Sequence, residues 1–265
     1  MTAADPPTPD SPLRAHLRVT VALMLREVST RHGRAAGGYL WAVAEPVGMI
    51  ALMSVAFALM LRAPDLGDSF VAFFATGFVP FNFYRVIARK VATARQGLGA
   101  LLRLPGVAPA DALAARFVLQ TLTGLVVAVA IVGGAALLTG EPLRPDPVPL
   151  AAAAGAGTLM GLGMGVANAV LFRLSGFYER VFGVVSRPLF LVSAVIYTPE
   201  SLPPPVTEVL LWNPLVHVVG AFRAGLYPAY DSQSDAVAYP AAVGLVLLCF
   251  GLLLLRRHGG RLAAP

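Results

Sequence analysis

The sequence predicts an all-α, polytopic membrane protein with six transmembrane helices. The chain has 265 residues, of which 57% are hydrophobic and only 13% charged, about half the charged fraction of a soluble domain. A helix needs about 20 mostly apolar residues to cross the hydrocarbon core of a bilayer. Six apolar runs approach or reach that length, at about 46–61, 70–87, 117–138, 150–172, 181–197 and 237–255.

The distribution of Lys and Arg predicts the orientation of these spans. If the N terminus is cytoplasmic, only Arg62, Arg144 and Arg223 of the 20 basic residues fall on the outer side. Basic residues in short loops stay in the cytoplasm, whereas acidic residues have little influence. Both termini are therefore expected in the cytoplasm. Because the basic residues are spread over four cytoplasmic segments, the net charge of +6 indicates topology and not nucleic-acid binding.

The N-terminal region predicts a tail and an interface helix. Residues 1–12 are rich in Pro, Asp and Thr, which is typical of a disordered cytoplasmic tail. Residues 13–265 are expected to form one transmembrane domain, which begins with an amphipathic helix at 13–32. The apolar face of this helix consists of Leu13, Leu17, Val21, Met24 and Val28. Such a helix lies along the cytoplasmic membrane surface, and an ordinary packed helix is the alternative.

The second run, 70–87, carries an aromatic stripe. At 100° per residue, six aromatic side chains share less than half of the helix circumference, whereas Phe83 lies opposite. The stripe consists of Phe70, Phe73, Phe74, Phe78, Phe81 and Tyr84. Lipid contact or helix packing explains many such stripes. The alternative is a substrate canal, because aromatic faces contact the C–H faces of sugars without holding them tightly.

The fourth and fifth runs contain residues that indicate packing and polarity. Gly157, Gly161 and Gly165 share one helix face, a small-xxx-small pattern that lets helices approach closely. This face predicts intrachain packing or dimerisation. Arg187 lies inside the fifth run, where it marks either the cytoplasmic mouth of a shorter span or a polar cavity.

The segment 198–228 is too apolar for an ordinary outer loop. Prolines at 203–205 and at Pro228 bound it, and Pro214 divides it into two short helical pieces. Neither piece is long enough to span a bilayer. The expected structure is a re-entrant pair of half-helices in the outer leaflet, directly before the last span.

The sequence contains no recognisable catalytic chemistry. His16, His32, His217 and His258 are scattered, so no metal site is expected. The single lysine, Lys90, follows Arg89 and does not belong to a phosphate-binding loop. We therefore expect neither enzymatic activity nor a cofactor in this chain. If the chain moves a substrate uphill, a partner supplies the energy.

A short apolar element at 98–105 is a candidate partner contact. It lies in the second cytoplasmic loop between Gly97 and Pro105, and it contains Leu98, Leu101, Leu102 and Leu104. Such an element could dock in a groove of a cytoplasmic ATPase. The alternative is that these leucines cap the helix bundle.

Three motifs in order resemble the ABC-2 type permeases, and in particular the branch that exports capsular polysaccharide. The first, where the chain enters the membrane, includes Gly38, Tyr39, Trp41, Glu45 and Pro46. The second combines Thr76-Gly77-Phe78-Val79-Pro80-Phe81 with Leu101-Leu102-Arg103-Leu104-Pro105-Gly106-Val107. The third is Asn213-Pro214-Leu215-Val216-His217, followed by Arg223 and Tyr227. The resemblance covers about residues 26–255, and departs from the family at Ala35-Ala36-Gly37.

The resemblance implies a function and assigns roles to residues. It implies a homodimeric inner-membrane subunit that binds two ATPase subunits, which carry ATP and Mg, and exports lipid-linked polysaccharide. Periplasmic and outer-membrane export proteins would be further partners. The ATPase contact would be Leu98, Leu101, Leu102, Arg103, Leu104 and Pro105, and the outer gate would be Trp212, Asn213, Pro214, His217 and Arg223. The aromatic stripe would line the canal.

Three alternatives are compatible with parts of the sequence. An ABC-2 exporter could carry O-antigen, teichoic acid or a lipophilic drug. A membrane-embedded glycolipid transferase would need an acidic or His cluster near an interface, and the sequence has none. A structural scaffold would not need the apolar segment 198–228.

Overall fold

The computed structural model describes residues 11–34, 38–60, 63–94, 107–234 and 236–263. The predicted tail, apart from its last two residues, and the whole of the element 98–105 lie outside these ranges. Within them the chain forms nine α-helices and two short 3-10 helices, with no β-strand. The α-helices are α1 (Pro12–Arg34), α2 (Gly38–Leu59), α3 (Phe70–Ala92), α4 (Pro109–Thr139), α5 (Pro147–Leu174), α6 (Gly176–Val185), α7 (Pro204–Leu210), α8 (Pro214–Ala224) and α9 (Ala238–Ala263).

The prediction of an all-α polytopic membrane protein is confirmed. Among the described residues, five helices are long and apolar enough to cross a membrane, namely Leu40–Leu59, Phe70–Ala92, Pro109–Thr139, Pro147–Leu174 and Ala238–His258. The pair α7 and α8 is bent by 102° and raises the number to six if it forms one span.

Several helices extend beyond the apolar runs because polar residues cap them. α4 begins at Pro109, eight residues before the predicted span, and Asp111 there accepts a hydrogen bond from the Ala108 amide at 2.8 Å. α5 begins at Pro147 after Asp146, whose carboxylate accepts from the Val148 amide at 2.9 Å. α2 also extends beyond its apolar run and begins at Gly38, so that Pro46 lies inside the helix and not at its start.

The fifth predicted run differs from the single helix that its hydropathy favours. α6 ends at Val185, and a 3-10 helix runs from Pro188 to Ser193. Pro188 has no amide hydrogen to continue the helical ladder, which explains the break. Arg187 lies exposed at this break, on the surface of the chain and not in an internal cavity.

The helix α3 is the centre of the bundle. In an apolar stretch of 18 residues along this helix, 72% is buried. It packs against α2, α4, α5 and α8, and α5 packs in turn against α9. In contrast, only 11% of the corresponding 18-residue stretch of α4 is buried. Exposed leucines and valines along α4 are expected where a helix faces lipid or another protein.

The glycine face of α5 allows the close approach of its neighbours, which confirms the intrachain packing prediction. A Cβ added to Gly161 would lie 2.9 Å from Ile87 of α3, and one added to Gly165 would lie 2.6 Å from Val91. Gly163 faces α9, where a Cβ would lie 2.5 Å from the Gly244 carbonyl. Small residues on two faces of α5 therefore position both α3 and α9.

The N-terminal helix α1 packs on the start of α4 through Leu23, which is 5% exposed. Two polar contacts fix this arrangement: Glu27 pairs with Arg116 at 2.7 Å, and His16 contacts Asp111 at 2.9 Å. The helix predicted at 13–32 is therefore present. Leu13, Leu17, Val21 and Leu25 remain exposed along another face, which is compatible with a helix that also contacts a membrane surface.

Candidate functional site

The outer segment, which we define as residues 198–228 after its predicted position, forms a broken helix pair. α7 ends at Leu210, and α8 begins at Pro214 after Asn213, whose side-chain oxygen accepts from the Leu215 amide at 3.1 Å. Asn213 caps the helix, and Pro214 needs no amide partner at the first helical position. The predicted division at Pro214 is therefore confirmed. A re-entrant position of the pair in the outer leaflet stays a prediction.

Arg223 anchors this pair to the rest of the bundle. It lies in the last turn of α8 and is 0% exposed. Its Nη1 donates to the carbonyl oxygens of Ala194 and Tyr197, both at 2.8 Å, and its Nη2 donates to the carbonyl of Val195 at 2.8 Å. The carbonyls follow the 3-10 helix Pro188–Ser193, so the guanidinium connects the end of α8 to the turn after that helix.

The surroundings of Arg223 are shaped to hold a planar cation. Its guanidinium carbon lies 4.3 Å from the ring centroid of Phe73, within the range of a cation–π interaction. Gly77 of α3 leaves the space that the guanidinium occupies, because a Cβ there would lie 2.5 Å from Arg223 Nη2. Ala194 adopts a left-handed φ of 56°, which turns its carbonyl into the site. Among the described residues, no carboxylate forms an ion pair with Arg223 within 4 Å.

The break between α7 and α8 carries its own set of hydrogen bonds. His217 Nε2 donates to the Leu211 carbonyl at 2.9 Å, and its ring packs against Tyr239 at 5.3 Å between centroids. The Tyr239 hydroxyl donates to the Trp212 carbonyl at 2.8 Å. Asn213 donates to the Val192 carbonyl at 2.8 Å. The break is therefore tied to α9 and to the 3-10 helix, although the Trp212 side chain is 81% exposed.

Carboxylates connect the loops that lie next to the outer segment. We call this end of the molecule the outer end. Asp65 accepts from the Thr198 amide at 2.7 Å, and Glu141 accepts from the Asp68 amide at 3.1 Å. Glu200 accepts from the Tyr230 hydroxyl at 2.9 Å. These contacts hold the loops before α3, before α5 and before α9 against the outer segment. They make the outer end a connected structure rather than four separate loops.

Two tyrosines of this end titrate far above their ordinary range. Burial raises the pKa of Tyr227 to about 12, and the Glu141 carboxylate adds to the effect. Burial likewise raises the pKa of Tyr230 to about 12. The folded state therefore holds the proton of each hydroxyl more tightly than the unfolded state does. This contribution to stability is present below pH 10 and is lost as the pH rises towards 12.

The aromatic stripe lies in the core of this chain. Phe73, Phe74, Phe78, Phe81 and Tyr84 are all at most 5% exposed, and Phe70 is partly exposed. The rings contact other aromatic residues of the same chain, with Phe74 5.1 Å from Phe57 and Phe81 5.7 Å from Phe190. This burial favours the packing interpretation. A canal-lining role stays a prediction.

The motif at which the chain enters the membrane lies on the first part of α2. Trp41 is 70% exposed, Pro46 is buried, and Glu45 pairs with Arg85 of α3 at 2.8 Å. Gly38 and Tyr39 belong to the first turn of the helix. The six residues predicted to contact an ATPase, at 98–105, lie outside the described residues, directly after α3.

The structure adds residues that the sequence did not reveal. Gly77, Ala194 and Asp65 belong to the Arg223 site or support it. Ala194 and Asp65 have no distinctive local pattern, and Gly77 lies in the motif Thr76-Gly77-Phe78 without a role assigned to it. Gly77 interrupts the aromatic stripe, which is the one signal that could have indicated a close approach. Within the described ranges, no group of three or more His, Cys, Asp or Glu side chains could hold a metal ion.

These features define a class: an integral membrane protein with a central packed helix and a broken helix pair before the last span. The sequence model of the ABC-2 type transporter family matches residues 18–227. The chain therefore belongs to the ABC-2 type transporter family, as its motifs predicted.

Capsule export proteins are among its relatives. The chain is 31% identical over 243 residues to the polysialic acid transport protein KpsM of Escherichia coli, covering 90% of this chain and 93% of KpsM. It is 28% identical to the capsule polysaccharide export inner-membrane protein CtrC of Neisseria meningitidis serogroup B, covering 91% of each chain. It is 21% identical to the corresponding protein BexB of Haemophilus influenzae, covering 90% of each chain.

Proposed function

We propose that the chain is the membrane-spanning permease subunit of an ATP-driven exporter of lipid-linked capsular polysaccharide across the inner membrane. The observation that carries this proposal is the similarity over 90% of the chain to a polysialic acid transport protein, with 93% of that protein covered. Similarity over almost the entire length means that both proteins share one domain organisation. The cargo is inferred from these relatives.

The exporter works as a homodimer with two separate ATPase subunits. The centre of this chain is filled by side chains, since α3 has its neighbours on all sides and its aromatic residues are buried. A path wide enough for a sugar polymer therefore forms between two copies and not through one bundle. Broad exposed apolar surfaces on α2, α4 and α6 are available for a second copy or for lipid.

The helix α3 is the mechanical link between ATPase and outer end. Its last residue, Ala92, lies shortly before the element 98–105, and its first half contacts Arg223 through Phe73 and Gly77. A helix of 23 residues is about 34 Å long. ATP binding in the partner would push on 98–105, and α3 would transmit this displacement to the carbonyl contacts of Arg223. The outer segment would then move relative to the 3-10 helix Pro188–Ser193.

A deletion and complementation experiment tests this function. A capsulated host that lacks the gene is expected to accumulate polysaccharide in the cytoplasm and to lose it from the surface, and the intact chain should restore it. Retention of surface capsule without the chain would contradict the cargo assignment.

A second measurement tests the partner. A cysteine in place of Arg103 should cross-link to the co-expressed ATPase. If cysteines at every position of 95–106 fail to cross-link, the segment does not dock on the ATPase.

A further inference from the structure

A charged pair lies within two of the helices that are long and apolar enough to cross a membrane. Glu45 of α2 and Arg85 of α3 pair at 2.8 Å, with side chains that are 55% and 37% exposed. Charged side chains inside a span are costly in lipid, and they face polar surroundings or a partner group. The bonds within this chain leave part of both side chains uncovered.

The depth of the pair can be measured from the outer end. α2 ends at Leu59 and α3 begins at Phe70, on the two sides of the loop that contains Asp65. Glu45 is 14 residues from Leu59, and Arg85 is 15 residues from Phe70. These separations correspond to about 21 and 22 Å of helix, less than the hydrocarbon thickness of about 30 Å. The exposed side of the pair therefore requires polar surroundings at membrane depth.

Asn82 fixes the guanidinium of Arg85. Its side-chain oxygen accepts from Arg85 Nε at 3.2 Å and from Arg85 Nη2 at 2.7 Å, and the same Nη2 donates to Glu45 Oε1 at 2.8 Å. Arg85 is therefore held at this depth and does not extend towards the membrane surface, as long basic side chains at helix ends do. We call Glu45, Asn82 and Arg85 the polar cluster.

The polar cluster retains donors and acceptors that are not used within the chain. Glu45 Oε2, Arg85 Nη1 and Asn82 Nδ2 have no hydrogen-bond partner among the described residues. The carboxylate oxygen accepts, whereas the guanidinium and amide nitrogens donate. A hydroxyl group does both, so neighbouring hydroxyls of one molecule match this set. Because the charges of Glu45 and Arg85 cancel, the cluster suits a neutral group.

A cavity of about 160 Å³ adjoins the polar cluster. Glu45 and Asn82 line it together with Trp41, which is 70% exposed. A cavity of about 150 Å³ holds a benzene molecule, so there is space for one six-membered ring. Most of the remaining lining is apolar, and a few polar groups in an apolar pocket fix the orientation of a ligand. A sugar ring combines the hydroxyls and the apolar C–H face that this lining requires.

The geometry points to a binding site for one hydroxylated sugar ring of the exported glycan, at the end of the bundle opposite to the outer end. One ring hydroxyl donates to Glu45, a neighbouring hydroxyl accepts from Arg85 or Asn82, and the indole of Trp41 packs on the C–H face. This inference rests on the proposed export function, to which it adds a contact where the polymer enters. A purely structural ion pair between α2 and α3 would bind no sugar.

Tryptophan fluorescence tests this site. The chain has two tryptophans, so Trp212→Phe leaves Trp41 as the single probe. The full chain is reconstituted in nanodiscs, which leave both faces accessible, and is titrated with short oligosaccharides prepared from the capsule of the host. A saturable change in Trp41 emission is expected. Glu45→Leu together with Arg85→Leu should raise the Kd about tenfold or more. The midpoint of thermal unfolding should not fall, because apolar residues can replace both partners of an ion pair.

Glu179→Leu together with Arg180→Leu is the matched control. Both residues are exposed on α6 and do not line the cavity, so the affinity should persist. Unchanged affinity in the variant of Glu45 and Arg85, or an equal loss in the control, would overturn the site. If Trp212→Phe does not fold, equilibrium dialysis of labelled oligosaccharides against the unaltered chain gives the same comparison.

Complementation of export separates this site from the proposed function. Absence of sugar binding by a chain that restores surface polysaccharide would overturn the site and leave the proposed function intact. A chain that does not restore surface polysaccharide would instead contradict the proposed function, and with it the basis of the site.

Discussion

At the scale of single residues, Arg223 explains how a cation is tolerated in an apolar bundle. Burial of an isolated charge is very costly. Three carbonyl oxygens and an aromatic face replace water around this guanidinium. The fork of donors reaches three carbonyls at once, which a lysine ammonium at the end of a flexible chain would not reproduce. Arg223 is therefore a positioning residue for the outer segment.

Replacement of Arg223 by Met is expected to destabilise the chain and reduce export. The carbonyls of Ala194, Val195 and Tyr197 would lose their donors, at a cost of about 1–3 kcal/mol for a buried unsatisfied group. The midpoint of thermal unfolding of the purified chain and the surface polysaccharide of cells measure the two effects. Arg144, an exposed arginine of the same end, is the control: Arg144→Met should change neither. An unfolding midpoint of Arg223→Met equal to that of Arg144→Met would contradict the anchoring role.

Replacement of Gly77 by Ala is expected to disturb the same site from α3. The new Cβ would lie 2.5 Å from Arg223 Nη2 and 2.5 Å from the Val195 carbonyl, so the guanidinium must move. We expect a destabilisation of about 1–3 kcal/mol, the usual cost of overpacking. Gly155→Ala serves as the control because a Cβ there meets nothing within 4 Å, and alanine favours the helix by about 1 kcal/mol. A neutral Gly77→Ala in thermal unfolding would contradict the close approach.

At the scale of elements, the hydropathy of the sequence predicted α3, α5 and α9 because long apolar runs identify helices that cross a membrane. It underestimated the length of α4. Hydropathy follows apolar residues, whereas this helix begins at the polar cap formed by Asp111. It also favoured one helix at 181–197, where Pro188 separates α6 from a 3-10 helix. The break at Pro214 was predictable because proline and a preceding capping residue carry a local signal.

The Arg223 site could be predicted only in part. Arg223 and Asn213 belong to a recognisable motif, but their partners at 192–197 come from a different element. Helical periodicity reports which residues share a face, and it does not report which helix packs on that face. For the same reason the aromatic stripe was identified correctly as a face of α3, while its burial against Phe57 and Phe190 required the structure.

The stripe itself yields a prediction for Phe74→Ala and Phe78→Ala. Both side chains are buried, and removal of a buried phenylalanine side chain costs about 3–5 kcal/mol. We therefore expect a lower abundance in the membrane together with reduced export, measured by immunoblot and by surface polysaccharide. Phe177→Ala on α6, which is 78% exposed, is the control and should retain wild-type abundance. Lost export at wild-type abundance of the Phe74 and Phe78 variants would instead support a canal-lining role.

At the scale of the whole molecule, the contacts separate two ends. Glu27–Arg116 and His16–Asp111 join α1 to the start of α4 at one end. At the other end, Asp65, Glu141 and Glu200 join the loops around the outer segment. The first end carries the N-terminal arginines and the second carries few basic residues. The positive-inside rule predicts that the first end faces the cytoplasm.

Labelling of introduced cysteines tests this orientation. The native Cys249 is replaced by Ala, because it is the one cysteine of the chain and is exposed. A membrane-impermeant thiol reagent, applied to cells whose outer membrane alone is permeabilised, should label Arg144→Cys at the outer end. It should label Arg257→Cys only after the inner membrane is opened, because both residues are exposed but lie at opposite ends of the bundle. Labelling of Arg257→Cys while the inner membrane is intact would mean that the topology is the inverse of the predicted one. The segment 98–105 would then face the periplasm, where no ATPase partner could reach it.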